Sequence, residues 1–227
     1  MDKLVFMHMP KCAGRSIINL LKENYPNSII MNNMPMLAMM TKDELEGYDL
    51  ICGHINYKFV NMLDGFKYMT IMRDPVERAI SQYNHFMTME TSVTEAEILR
   101  LHNYSFMDFV STSNPNLSLW TNIYNVQLGD DASVVYNVRE YLKRAIIALG
   151  ELDFIGIYEQ MGETISKLKA RYHLKGELET IGKTSKKNKV AHVTTEEKIE
   201  ARKHLIPDLI LYNMAKERFN EGESWKD

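Results

Sequence analysis

Apolar residues along this chain come either in short unbroken runs or in stripes recurring every three to four positions. The two patterns follow one another in an order that predicts strands alternating with helices. Lys3 to Met9 is an apolar run stopped by Pro10, the pattern of a buried strand, and apolar residues at 17, 18, 21 and 25 then give Ser16 to Tyr25 a helical face. Tyr48 to Cys52, followed by Gly53, predicts a second strand, and Lys67 to Met72, ending at Arg73-Asp74-Pro75, a third. The helix predicted over 75–88 has a well-marked start: Asp74 suits the cap, Pro75 the first turn, and Glu77 completes a capping-box-like pair. Its buried stripe is expected to be Val76, Ala79, Ile80, Tyr83 and Met87. Val93 to Leu149 reads as helical stretches interrupted by a Gly129-Asp130-Asp131 loop. Asp153 to Ile157 predicts a fourth strand, backed by a stripe of Met161, Ile165, Leu168 and Tyr172. Residues 176–195 are polar and Lys-rich and read as a loop, before closing helices near 195–205 and 208–220 separated by Pro207. The alternation implies an α/β fold with a mostly parallel central sheet flanked by helices and a helical second half.

The chain has 227 residues, 45% apolar and 25% charged, which suits one domain over 1–227 and excludes a disordered, collagenous or coiled-coil protein. With 27 basic and 30 acidic residues the net charge is −3, so the overall field argues for neither a nucleic-acid nor a membrane partner, and any anion site must be local. Cys12 and Cys52 make neither a disulfide framework nor a zinc site and are expected to be reduced thiols. The N-terminus runs from Met1-Asp2-Lys3 straight into apolar Leu4-Val5-Phe6-Met7, without the pattern of a signal or anchor, so the expected compartment is the cytoplasm. Sixteen methionines, many of them between Met31 and Met40, are expected to fill core in place of Leu and Ile.

Three of the predicted strands end in polar residues: His8 to Ser16 after the first, Gly53-His54 after the second, Arg73-Asp74 after the third. In a parallel sheet these ends converge. The first loop combines a Gly, a Lys and a following helix start, so backbone N–H groups and the helix dipole can hold an anion while Lys11 adds a full charge. It departs from a nucleotide-triphosphatase loop because the Lys precedes Gly14 by three residues instead of following a Gly at the helix start. Read alone, Pro10 to Ser16 also fits a plain strand-to-helix turn, and His54 a core or capping histidine. His8, alternating with Phe6, reads as packed. Arg78 is either a surface ion-pair member or a phosphate contact on a polar helix face shared with Ser81 and His85.

The segment Phe6-Met7-His8-Met9-Pro10-Lys11-Cys12-Ala13-Gly14-Arg15-Ser16 resembles the phosphosulfate loop of carbohydrate sulfotransferases. Thr70 to Tyr83, with Arg73-Asp74-Pro75, Arg78, Ser81 and Tyr83, is similar to that family's 3′-phosphate segment. Gly53-His54 is similar to a Gly-His pair in the heparan sulfate 2-O-sulfotransferase branch. Asp153 to Met161 and Asp208-Leu209-x-x-Tyr212 resemble two later family segments. Arg15 stands where Thr is commonest.

The resemblance implies a P-loop-like fold that transfers a sulfuryl group from 3′-phosphoadenosine 5′-phosphosulfate (PAPS), without a metal, to a hydroxyl, expected to be on a sugar. It implies Lys11 and His54 as catalytic residues, Lys11, Cys12, Ala13, Gly14, Arg15 and Ser16 around the phosphosulfate, and Arg73 and Ser81 on the 3′-phosphate. Lys186 and Lys187, in the basic Lys183 to Lys189 run, read either as a solvated loop or as a flap over the nucleotide. The helical stretch over about 84–150 is expected to build the acceptor cleft. A small-molecule kinase with an irregular phosphate loop and a non-catalytic nucleotide-binding domain remain as alternatives.

Overall fold

The computed structural model describes residues 2–31, 39–60, 63–89, 93–129, 138–179 and 192–222. Positions 32–38 of the methionine-rich stretch, Asp130-Asp131 and the Lys183 to Lys189 run with Lys186 and Lys187 lie outside the described residues. Five strands, β1 (Lys3–Met7), β2 (Ser28–Met31), β3 (Leu50–Gly53), β4 (Phe66–Met72) and β5 (Phe154–Ile157), form one parallel sheet in the order β2-β3-β1-β4-β5. Central β1 is covered on both faces, which is why Leu4, Val5, Phe6 and Met7 are all apolar and fully buried. β2 was not expected: it is a four-residue edge strand, mostly half-buried, and too short to show a period. It packs so closely on β3 that a Cβ at Gly53 would lie 2.1 Å from the Met31 carbonyl oxygen.

Helix α1 (Gly14–Asn24) buries Ile17, Ile18, Leu20 and Leu21, and α2 (Lys42–Glu46) starts with a capping box of Thr41 and Glu44 that was not anticipated. After α3 (Tyr57–Val60) and β4 come α4 (Pro75–Thr88), α5 (Thr94–Leu101), α6 (Phe106–Ser111), α7 (Pro115–Thr121), α8 (Ile123–Gly129) and α9 (Val138–Glu151). β5 leads through a 3₁₀ turn (Tyr158–Gln160) into α10 (Met161–Tyr172), and α11 (Thr195–His204) and α12 (Ile206–Glu221) close the described chain. Pro207 lies in the first turn of α12, where its missing N–H is harmless, so only Leu205 separates the two helices.

Two apolar cores result. The larger joins the sheet to α1, α9, α10 and α12. The second is helical: Val76, Ala79, Tyr83 and Phe86 of α4 meet Ala96, Leu99, Phe106, Phe109, Val110, Leu117, Ala201 and Leu205, with Ile80 and Met87 partly buried beside them. Met7, Met9, Met69 and Met72 are fully buried core filler as expected, whereas Met39 is 84% exposed. Both cysteines are free and buried.

Two local expectations are corrected. Asp74 does cap α4, accepting from the N–H groups of Val76 (3.0 Å) and Glu77 (3.1 Å), but Glu77 does not complete a capping box. Its carboxylate pairs with Lys198 of α11 at 2.6 Å, and the Asp74 N–H donates to Glu159 instead. Arg78 is not a surface residue on the face of Ser81 and His85. It is fully buried, and its Nη2 donates to the carbonyls of Trp120 (2.6 Å) and Thr121 (2.7 Å) at the C-terminal end of α7, where a cation suits the helix dipole. Arg78→Ala leaves those two carbonyls without their donor and a void between α4 and α7, and is expected to destabilise the protein by about 3–5 kcal/mol. Urea unfolding checks it: a stability within about 1 kcal/mol of wild type would show that the carbonyls find other partners.

Candidate functional site

The connection from β1 leads to β2 on one side of the sheet and that from β4 to β5 on the other, so a crevice opens between their C-terminal ends. The loop after β1 lines it. Lys11 (φ 67°) and Ala13 (φ 62°) both adopt the left-handed conformation, unfavourable for residues with a Cβ, and bend the loop sharply before α1 begins at Gly14. Within this bend the Cys12 N–H donates to Met9 O (3.3 Å) and the Ser16 N–H to Ala13 O (3.1 Å). The N-cap Ala13 offers no side-chain acceptor, so the N–H groups of Ala13, Gly14 and Arg15 have no acceptor among the described residues. Of the loop residues 12–16, Cys12 and Ser16 thus have their N–H groups engaged within the bend, and those of Ala13, Gly14 and Arg15 are left open. Cys12 turns its thiol inward, 3.3 Å from the Tyr124 hydroxyl, and burial pushes that thiol up to about 11, so it stays protonated.

The register that pairs Met7 with Gly53 brings the next residues, His8 and His54, level with each other. The His8 N–H donates to Gly53 O (2.7 Å), and the two imidazoles stack with centroids 4.5 Å apart. Gly14 makes room for the stack, since a Cβ there would lie 1.7 Å from His8 Nε2. Burial, reinforced by His54, Lys11 and Arg15, lowers His8 to about 3, so it is the packed, neutral histidine expected. Burial also lowers His54, against the opposing effect of its hydrogen bond to the His8 carbonyl. That bond, Nδ1 to His8 O at 2.9 Å, decides the tautomer. A carbonyl can only accept, so Nδ1 carries the hydrogen, and Nε2 of neutral His54 keeps its lone pair.

From β4, Arg73 reaches back to the loop: its Nη1 donates to Lys11 O (3.3 Å), and its guanidinium lies over the Tyr158 ring at 4.5 Å. Its Nε is buried with no hydrogen-bond partner among the described residues. Arg73 thus sits against the Lys11 loop, whereas half-buried Ser81 lies two helical turns into α4. Lys11 itself is lowered to about 8, first by burial and then by Arg15 and Arg73. Arg15 is exposed on the first turn of α1, and with Lys11 it also lowers His85 on α4, whose largest shift comes from burial. These cations and the uncapped helix start converge on one small region, an arrangement suited to a polyanion. Among the described residues no group of three or more His, Cys, Asp or Glu is placed to hold a metal ion, and no helix is long and apolar enough to cross a membrane.

The model of the sulfotransferase family matches residues 1–214. The chain belongs to the sulfotransferase family. Among solved structures, the chain is similar to a sulfotransferase from Alicyclobacillus acidocaldarius at 12% identity and a TM-score of 0.57, covering 94% of this chain and 95% of that one, which shows the shared fold. A mouse sulfotransferase, SULT7A1 complexed with PAP, aligns at 14% identity and a TM-score of 0.40 over 97% of this chain and 82% of that one. No curated protein matches the sequence.

In this sulfotransferase fold, Lys11, Cys12, Ala13, Gly14, Arg15 and Ser16 form one loop and helix start, with His54 on the neighbouring strand end and Arg73 against the same loop. Ser81 is set further along α4, away from the Arg73 turn. Tyr124 and Tyr158, which touch Arg73, were not anticipated. Tyr124 lies in a stretch with no motif, and only the folded chain brings its hydroxyl to β4. The depressed Lys11 gives a pH prediction. A bound phosphate favours the charged ammonium, so binding takes up a proton once Lys11 deprotonates, and affinity falls as pH rises above about 8. Titration with pyrophosphate between pH 6.5 and 9.5 should show wild-type affinity declining above about pH 8 relative to Lys11→Arg, in which the ligand's own protonation is the change that remains.

Proposed function

We propose that this sulfotransferase moves the sulfuryl group of PAPS to a hydroxyl of a carbohydrate acceptor, without a metal. The observation that carries the reading is the tautomer of His54: the hydrogen bond to His8 O leaves Nε2 as a base at the same sheet end as Lys11 and the uncapped start of α1. The acceptor oxygen attacks sulfur in line and its proton passes to His54 Nε2. The bond from sulfur to the bridging oxygen breaks, and the electron pair stays with the 5′-phosphate, where Lys11 neutralises it. The free N–H groups of Ala13, Gly14 and Arg15, on the loop that also carries Cys12 and Ser16, suit the phosphosulfate.

Arg73, with an unpartnered Nε and a long bond to Lys11 O, has donors to offer the 3′-phosphate, with Ser81 as second ligand. α11 runs antiparallel to α4, because Lys198 pairs with Glu77 and Arg202 with Asp74. Moving back along α11 toward Thr194 therefore leads toward Ser81. Lys186 and Lys187, shortly before α11 in the sequence, are read as adding charge at that phosphate. The helices over about 84–150 would shape the acceptor cleft of a single 1–227 domain. The carbohydrate acceptor rests on the likeness of Gly53-His54 to the heparan sulfate 2-O-sulfotransferase branch, and a cytoplasmic setting accords with two free, buried thiols.

Calorimetry should show 3′-phosphoadenosine 5′-phosphate (PAP) bound far more tightly than AMP, and Arg73→Ala should reduce that preference by about 10- to 100-fold, the worth of one charge-assisted contact. Equal affinity for AMP in wild type would overturn the assignment.

With a sugar panel as acceptors, Lys11→Ala should lower kcat by about 10²–10³ and also weaken PAP binding, whereas His54→Ala should lower the rate by about 10²–10⁴ and spare PAP affinity. Because burial lowers His54 from its ordinary 6.5, the acidic limb of kcat/KM should fall below pH 6.5 and vanish in His54→Ala. Turnover that needs magnesium and stops with EDTA would point to a kinase instead.

A further inference from the structure

The β4 ladder ends at Met72, paired with Ile157, so the N–H groups of Arg73 and Asp74 have no strand beside them. Side chains from the helical half take over. The Tyr124 hydroxyl accepts from the Arg73 N–H and donates to the Arg73 carbonyl, both at 2.8 Å, so a single buried oxygen closes on both sides of one residue. The same hydroxyl is 3.3 Å from Cys12 Sγ in the phosphosulfate loop. The Asp74 N–H donates to Glu159 Oε1 (3.0 Å), and the other oxygen of that carboxylate accepts from the Tyr212 hydroxyl (2.9 Å).

Both supports lead back to α12. Asp208 accepts from the N–H groups of Tyr124 (3.1 Å) and Asn125 (2.8 Å), and Tyr212, one turn later on that helix, carries the Glu159 link.

We propose that Tyr124 and Tyr212 are positioning residues for recognition of the nucleotide's 3′-phosphate: their hydroxyls, one directly and one through Glu159, clamp the Arg73–Asp74 turn. The inference rests on the reading of Arg73 as the 3′-phosphate ligand. The direction in which the Arg73 side chain leaves the backbone follows from that residue's φ and ψ, and these two hydroxyls are what hold the peptide units on either side of it. A purely structural clamp would lower stability without changing which nucleotide is preferred. A positioning clamp changes the preference, and changes it through Arg73.

Tyr124→Phe keeps the ring and removes only the hydroxyl. Calorimetry on the full chain is expected to show the PAP-over-AMP preference lowered about tenfold. In an Arg73→Ala background the same exchange is expected to change the ratio no further. An unchanged preference in Tyr124→Phe, or a further fall in the Arg73→Ala background, overturns the proposal. Should Tyr124→Phe not fold, Tyr212→Phe decides: a several-fold lower preference supports the clamp and an unchanged one overturns it. A wild-type protein that prefers neither nucleotide defeats the Arg73 reading and this inference together, whereas a wild-type preference that both variants retain defeats the clamp alone.

Discussion

Everything around the site hangs on two peptide units, those of Arg73 and Asp74, where the parallel sheet stops and the helical half begins. β4 belongs to the core under the sheet, and α4 supplies the spine of the second core. The turn between them is held by the Tyr124 hydroxyl, the Glu159 carboxylate and, on the Asp74 side chain, Arg202 of α11 at 3.2 Å. A strand that ran on would have satisfied its own backbone in the ladder. Where it ends instead, the next N–H groups must be satisfied by other means, since an unpaired donor held away from water costs about as much as a lost hydrogen bond.

The second constraint is electrostatic. Lys11, Arg15 and Arg73 crowd a region that also receives the positive end of α1, and the mutual repulsion, added to burial, is legible in the lowered Lys11. No carboxylate pairs with Lys11 among the described residues, whereas nearby acidic residues are engaged elsewhere: Asp74 caps α4 and pairs with Arg202, and Glu77 pairs with Lys198. Such repulsion opposes folding, and the same concentration of positive charge suits the region to a polyanion. His8 contributes by remaining neutral. Stacked on His54 and wedged over Gly14, it offers a carbonyl that sets the His54 tautomer and adds no further charge to the crevice.

Local pattern carried much of the architecture. Unbroken apolar runs, a Pro after the first of them, and the Asp74-Pro75 start of α4 are properties of neighbouring residues. Four of the five strands and the order of the main helices follow from them. The edge strand Ser28–Met31 was hidden because four residues, three of them half-buried, show no period. The clustering of Lys11, His54 and Arg73 was legible too, because parallel strands deliver the residues after their C-terminal ends to one edge.

What only the tertiary structure decided were partnerships between residues far apart in the chain. Glu77 had two acceptable partners, its own helix start or a lysine 121 positions later, and packing of α11 on α4 chose the lysine. Arg78 looked like a surface residue because its own helix leaves that position polar, and it is buried because α7 places its last carbonyls on it. Tyr124, Glu159, Asp208 and Tyr212 acquire their meaning at the Arg73–Asp74 turn only when separate segments meet there. Hydrophobic spacing records which face of an element is buried, but a hydrogen bond across 51 or 85 residues leaves no periodic trace in the sequence.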